Sequence, residues 1–178
     1  GNVDVADAPS IPQHADVLAL TNGGFLVTWS DENQGFPDGA DFAVRAQLFD
    51  ADGNPAGSEF TINTFAPGSQ SSPQIIALPG GGFVAVYQSD GEIRGQMFDA
   101  VGGRMGAEFV VNTTTSNLQV RPDIAVLADG RLAIVWEDWS ATRGDTSLEA
   151  IRMQIIDPRD GAVTGSNGDE TLVGKHVI

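Results

Sequence analysis

Two acidic stretches are the residues best placed to do chemistry. The first, Asp31-Glu32-Asn33-Gln34-Gly35-Phe36-Pro37-Asp38-Gly39-Ala40-Asp41, carries four carboxylates. The second, Glu137-Asp138-Trp139-Ser140-Ala141-Thr142-Arg143-Gly144-Asp145, carries three. Calcium takes roughly six to eight oxygen ligands, which loops of Asp, Asn and free carbonyls supply. Asp31, Asp38, Asp41, Glu137, Asp138 and Asp145 are therefore the candidate calcium ligands, against the plainer expectation of solvated polar loops. Trp139 and Phe36 lie in the same stretches and are suited to stacking on a sugar ring or a protein partner; the alternative is packing of each loop on its own domain. Asp50-Ala51-Asp52-Gly53-Asn54 has the spacing of a calcium loop, but Thr61 stands where the closing glutamate belongs, so a hairpin turn is the better expectation.

Catalytic signatures are scarce. The chain has no cysteine, which excludes thiolate nucleophiles, disulfides and Cys-based metal sites. Its two histidines, His14 and His176, are 162 residues apart. No serine-nucleophile motif, zinc-type His pair or phosphate loop occurs. A two-carboxylate glycosidase leaves no spacing signature, because its acid pair is defined by geometry. The residues thus point to a non-enzymatic binding or structural module, for glycan or protein, with a hydrolase as an alternative. The net charge of −15 argues against nucleic acid, whose binding needs basic patches, and against anionic membrane surfaces. No apolar run approaches the ~20 residues of a membrane span.

The elements that must position these loops are read from an internal repeat. Val17-Leu18-Ala19-Leu20, a Gly-rich turn, then Phe25-Leu26-Val27-Thr28-Trp29 recurs as Ile75-Ile76-Ala77-Leu78, a turn, and Phe83-Val84-Ala85-Val86-Tyr87. It recurs again as Ile124-Ala125-Val126-Leu127, a turn, and Leu132-Ala133-Ile134-Val135-Trp136. Each copy continues with Arg-x-Gln-x-apolar-Asp, beginning at Arg45, Arg94 and Arg152 and ending at Asp50, Asp99 and Asp157. Gly57–Thr64 is echoed by Gly106–Thr113, and only Gly165 survives in the third copy. Period-2 alternation and turn glycines predict four antiparallel strands per copy, with Trp29, Tyr87 and Trp136 in the core. The three arginines are expected to tie adjacent units together, with Asp50, Asp99 and Asp157 as their partners.

The fold class expected is all-β: one domain over 1–165 with repeats at about 12–64, 70–113 and 119–165, followed by a tail at 166–178. Four-stranded units of this length suggest β-propeller blades, with a β-trefoil, a β-prism-like three-fold fold or a sandwich as alternatives. Three blades leave open edges, so the expected partner is a second copy completing a ring or the remainder of a longer chain. From the strand-two aromatic to the strand-three arginine is 16 residues in copies one and three and 7 in copy two. Both long loops project from the same end of the repeat, as binding loops of repeat proteins do.

The stretches Gly23–Trp29, Arg45–Gly53 and Gly57–Thr64, with their second copies, resemble repeats of large bacterial secreted proteins of the RTX, or hemolysin-type calcium-binding, kind. Asn167-Gly168-Asp169-Glu170-Thr171-Leu172-Val173-Gly174 is similar to the opening of their Gly-Asp nonapeptide repeat; one partial unit is too little for a calcium-binding β-roll. The resemblance implies export to the cell surface or medium and a repeat module with no enzymatic activity of its own.

Overall fold

The structure is a computed structural model that describes residues 4–5, 11–32, 42–65, 67–114, 116–140 and 149–159. Every regular element among these residues is a strand. The first repeat forms the sheet β1 (Pro12–Ala19), β2 (Phe25–Glu32), β3 (Phe42–Phe49) and β4 (Phe60–Thr61). The second forms β5 (Gln70–Ala77), β6 (Phe83–Ser89), β7 (Glu92–Phe98) and β8 (Arg104–Val110). The third contributes β9 (Gln119–Val126), β10 (Leu132–Asp138) and β11 (Ala150–Ile156). Each sheet is an antiparallel meander with its strands in chain order. The fourth strand expected of the third copy falls outside the described residues, as does the tail.

Turn chemistry explains why the meanders close. Gly23, Gly81 and Gly130 hold φ of +88°, +89° and +87° at the turn between the first two strands of each sheet, a region that side chains with a Cβ avoid. Gly82 has a second reason, since a Cβ there would lie 2.2 Å from the carbonyl oxygen of Phe98. Between strands three and four, Asp50 Oδ1 accepts the backbone N–H groups of Asp52 and Asn54 at 3.0 and 2.8 Å. Asp99 does the same for Val101 and Gly103 at 3.0 and 2.7 Å. The Asp50–Asn54 segment is therefore a side-chain-capped hairpin turn.

The core lies between the sheets. Leu26, Val44, Ala46, Leu48 and Ile62 of the first sheet's repeat pack against Ile75, Phe83, Ala85, Tyr87 and Phe98 of the second. Val84, Val86, Ile93, Phe109 and Val111 then meet Leu132, Ile134, Trp136 and Ile156 of the third. Trp29, Tyr87 and Trp136 are all buried, each worth about 1.5–3 kcal/mol of transfer free energy. Packing between sheets is concentrated on the first strands: β5 lies against β1, β2 and β3, and β9 against β5, β6 and β7. The first strands thus stand side by side, and the sheets fan outward from them.

The repeat arginines pair with carboxylates of their own repeats other than those expected, and Arg94 also reaches the preceding repeat. Arg94 pairs with Glu92 at 2.8 Å and Glu108 at 3.1 Å, and its guanidinium covers the Phe65 ring of the preceding repeat at 3.8 Å. Glu108 also accepts the N–H groups of Thr64 and Phe65. Arg45 pairs with Glu59 and Arg152 with Asp138. Asp50 and Asp99 are occupied in capping their turns, and Asp157 pairs with Arg159.

Candidate functional site

The first strands are irregular at one matched point. The β1–β2 ladder shifts between Gln13 and Asp16, the β5–β6 ladder between Ser71 and Gln74, and the β9–β10 ladder opposite Val135 and Glu137. Each shift is a bulge led by a non-glycine residue at positive φ: His14 at 51°, Ser72 at 54° and Arg121 at 53°. Such a conformation costs on the order of 1–3 kcal/mol, and residues held in it cluster at functional sites. Three bulges at one repeat position, on the three strands that stand side by side, set three polar side chains at one end of the fan. That end is also where β2 and β10 run out into the two long loops.

Neighbouring contacts fix the level of this ring. Ser72 N–H donates to Ser30 Oγ at 3.0 Å, and Ile75 N–H donates to Asp16 Oδ2 at 3.0 Å, so β1 and β2 hold the β5 bulge in place. Arg121 Nη1 bonds both Glu137 oxygens, at 3.1 and 3.0 Å. Asp123 is exposed, with one oxygen on the Ile124 N–H. Asp123 stands opposite Val135 on the neighbouring strand, two residues before Glu137, so both carboxylates occupy one face of the third sheet. Diagonal neighbours of this kind have Cα atoms roughly 7–8 Å apart.

The residues singled out from sequence are spread over this end. Phe36, Asp38, Asp41 and Asp145 lie outside the described residues. Asp31 is the penultimate residue of β2 in the first sheet, with its Oδ1 buried and unpaired. Glu137 is taken up with Arg121. Asp138 is 1% exposed and faces the core. It is bound by Arg152 Nε, by Gln119 Nε2 at 2.8 Å and by the Ser140 N–H at 2.7 Å. Burial pushes its carboxyl up, but the bonds from Ser140, Gln119 and Arg152 outweigh that and hold it below the ordinary range. Among the described residues no three His, Asp or Glu side chains gather closely enough to hold a metal ion. Trp139 is half-buried; its backbone N–H donates to Leu118 O at 2.9 Å and its backbone carbonyl accepts from the Asn117 side-chain amide, while its indole Nε1 is buried without a partner. His14, Ser72, Arg121 and Asp123 were not singled out. Pro73 and Pro122, one residue after Ser72 and Arg121, were the available signal, since proline inside a strand pattern marks a bulge or an edge.

No known family model matches the sequence, and neither does any curated protein. Solved structures do match in fold. An endo-arabinase from Bacteroides thetaiotaomicron aligns with a TM-score of 0.57 at 14% identity, over 90% of this chain and 61% of that one. A thermostable family-43 glycoside hydrolase aligns at 0.55 and 12% identity, over 92% and 61%. A protein of unknown function from Dyadobacter fermentans aligns at 0.60 and 10%, over 88% and 54%. The chain thus spans between about half and three-fifths of these neighbours. The likeness corrects the expectation of a non-enzymatic module. The reading rested on missing sequence motifs, and the fold proves to be one that carries glycoside hydrolases, whose acid pairs leave no such motif.

Proposed function

We propose that the three sheets are three blades of a β-propeller that hydrolyses glycosidic bonds, with the glycan held at the bulge end of β1, β5 and β9. The observation that carries this reading is the matched set of strained bulges, which puts His14, Ser72 and Arg121 at the same end of β1, β5 and β9, the end of the third sheet that also bears Asp123 and Glu137. The likeness in fold to an endo-arabinase and a family-43 glycoside hydrolase supports it. In this reading Asp123 and Glu137, at the bulge end of the face that the third sheet shares with Ile151 and turns toward the next sheet of the ring, supply the acid and base at that junction, and Arg121 orients Glu137. His14 and Ser72 offer hydrogen bonds to sugar hydroxyls. Replacing either carboxylate, Asp123→Asn or Glu137→Gln, is expected to lower the rate of arabino-oligosaccharide cleavage at least ~100-fold, the scale of a general acid or base. Loss in neither variant, with the wild type active, would remove this pair from the mechanism.

Ring closure needs further sheets. Three sheets over 0.61 or 0.54 of a neighbour's length scale to about five or five and a half sheets for the whole, within the usual propeller range of about 4–8. The outer face of the third sheet supports the same need. Ile151 is 60% exposed, whereas the matching Val44 and Ile93 are fully buried by the sheet that follows them. When this chain stands alone, a second copy is what can cover that face. Light scattering is expected to give the mass of a dimer, and Ile151→Glu to return a monomer; a wild-type chain that stays monomeric at high concentration would contradict the open-ring reading.

A further inference from the structure

The first two sheets are closed on their outer side by the same two-residue clip. Ile62 N–H donates to Val44 O at 2.8 Å, and Val44 N–H donates to Asn63 Oδ1 at 3.0 Å. In the second sheet Val111 N–H donates to Ile93 O at 2.8 Å, and Ile93 N–H donates to Asn112 Oδ1 at 2.7 Å. An apolar residue and the asparagine after it thus satisfy both outward-facing backbone groups of one residue on the third strand. The asparagine amides point onward: Asn63 Nδ2 donates to Phe65 O and Asn112 Nδ2 to Thr114 O, each two residues further along the chain. All four clip residues are buried.

The third sheet has the receiving half of this arrangement. Ile151 stands opposite Glu137 in the β10–β11 ladder, as Val44 stands opposite Ser30 and Ile93 opposite Gln88. Among the described residues the sheet ends at β11, and Ile151 is 60% exposed. Beyond Asp157 the sequence has no apolar residue followed by Asn or Asp, so the third copy brings no clip of its own. Ahead of β1 stands Val3-Asp4. Asn63 and Asn112 precede the first residue of the next sheet, Gln70 and Gln119, by seven positions; Asp4 precedes Pro12 by eight. Val3-Asp4 therefore has the composition and the place of a clip whose sheet is missing.

We propose that Val3-Asp4 of a second copy is the clip for Ile151, with Val3 N–H donating to Ile151 O and the Asp4 carboxylate accepting the Ile151 N–H. This rests on the open-ring reading above and names the segment that joins the copies. From the first sheet to the second, and from the second to the third, the chain leaves the clip of one sheet and enters the first strand of the next. Val3-Asp4 leads into β1, so its clip belongs to the sheet that precedes the first. Within one chain β5 stands between β1 and β9, which leaves the third sheet of a second copy as that preceding sheet. An open strand edge accepts an added strand through main-chain bonds, and side-chain fit sets the choice of strand. Val3 brings the apolar residue beside Ile151, and Asp4, exposed in the single chain, brings the acceptor. A carboxylate lacks the donor of an amide, so the onward bond, here to Ala6 O, is the one part of the clip that Asp4 does not supply.

The test uses the full chain. It has no cysteine, so Gly1→Cys gives a single attachment point for a nitroxide. Copies carrying it are mixed with wild-type copies labelled with ¹⁵N at isoleucine, in which the Ile151 amide is assigned by its loss in Ile151→Val. The nitroxide is expected to broaden the Ile151 resonance more strongly than that of Ile93, whose clip is already filled. In a dilution series followed by light scattering, Asp4→Ala is expected to raise the dissociation constant of the dimer about tenfold, the scale of one lost hydrogen bond to a charged group. Asp4→Asn, which supplies the missing donor, is expected to leave the dimer as tight or tighter. A dimer in which Ile151 broadens no more than Ile93, or one that Asp4→Ala leaves equally tight, overturns the clip and leaves the open ring standing. Broadening of Ile151 in copies that carry both labels, diluted in a large excess of unlabelled chain, would put a copy's own segment at the edge and overturns the clip as well. A wild-type chain that stays monomeric at high concentration removes the open-ring reading, and the clip with it.

Discussion

Replacing Asp138 with asparagine is expected to destabilise the fold by about 3–5 kcal/mol, the cost of breaking a buried ion pair by removing one charge. Asp138 and Arg152 have side chains 0% and 5% exposed, and Asp138 joins β10, β11 and the start of β9 through Arg152 and Gln119. The neutral amide removes the charge that faces Arg152, whose side chain is 5% exposed. Denaturant unfolding of the two proteins at pH 7 measures the difference, and a loss below about 1 kcal/mol would place the pair in solvent. The same residue sets an acid limit. Its carboxyl is held below the ordinary range, as is that of Glu108, where burial pushes up and the Thr64 and Phe65 N–H groups outweigh it. For groups lowered in the folded state, the stabilisation is fully present above the unfolded value of about 4 and is lost as pH falls through the folded one. The wild type should therefore lose stability below about pH 4, and Asp138→Asn should lose less over the same range.

Phe83→Ala should cost a similar amount, about 3–5 kcal/mol. Phe83 is fully buried between the first two sheets and stacks on Phe98 with ring centroids 4.9 Å apart and planes at 11°. The first sheet offers an internal control. Phe25 occupies the matching position and stacks on Phe49 at 4.9 Å and 8°, but it is only half-buried, with no other sheet among the described residues packed on it. Phe25→Ala in dilute solution is expected to cost at least ~1 kcal/mol less than Phe83→Ala, in proportion to the apolar area it hides. Equal losses would mean that the face of the first sheet is already covered, and the fan would not be open there.

The repeat made the fold readable. Period-2 alternation put Phe83, Ala85 and Tyr87 on one strand face, and the spacing of Gly23, Gly81 and Gly130 marked the hairpins, because both are local consequences of strand geometry and positive φ. Partners across the fold were less readable. Arg45, Arg94 and Arg152 were matched to the nearest repeating aspartates, yet Asp50 and Asp99 sit at turns whose backbone N–H groups claim them first. Asp138 looked like a loop ligand. The strand runs two residues past Trp136, so the alternation of Leu132, Ile134 and Trp136 carries Asp138 into the core, where only an ion pair makes it tolerable. The bulge residues were hardest to find. His14, Ser72 and Arg121 share no chemistry, and what unites them is a backbone conformation imposed by the ladder shift, with Pro73 and Pro122 as its only trace in the sequence.

The most direct test of the central claim is to incubate the folded chain with arabino-oligosaccharides and a panel of other plant and bacterial glycans, and to read the products by mass spectrometry. The account predicts shortened oligosaccharides from at least one glycan, formed by the wild type and lost with Glu137→Gln. A folded wild-type chain, tested as monomer and as dimer, that cleaves none of them would contradict it.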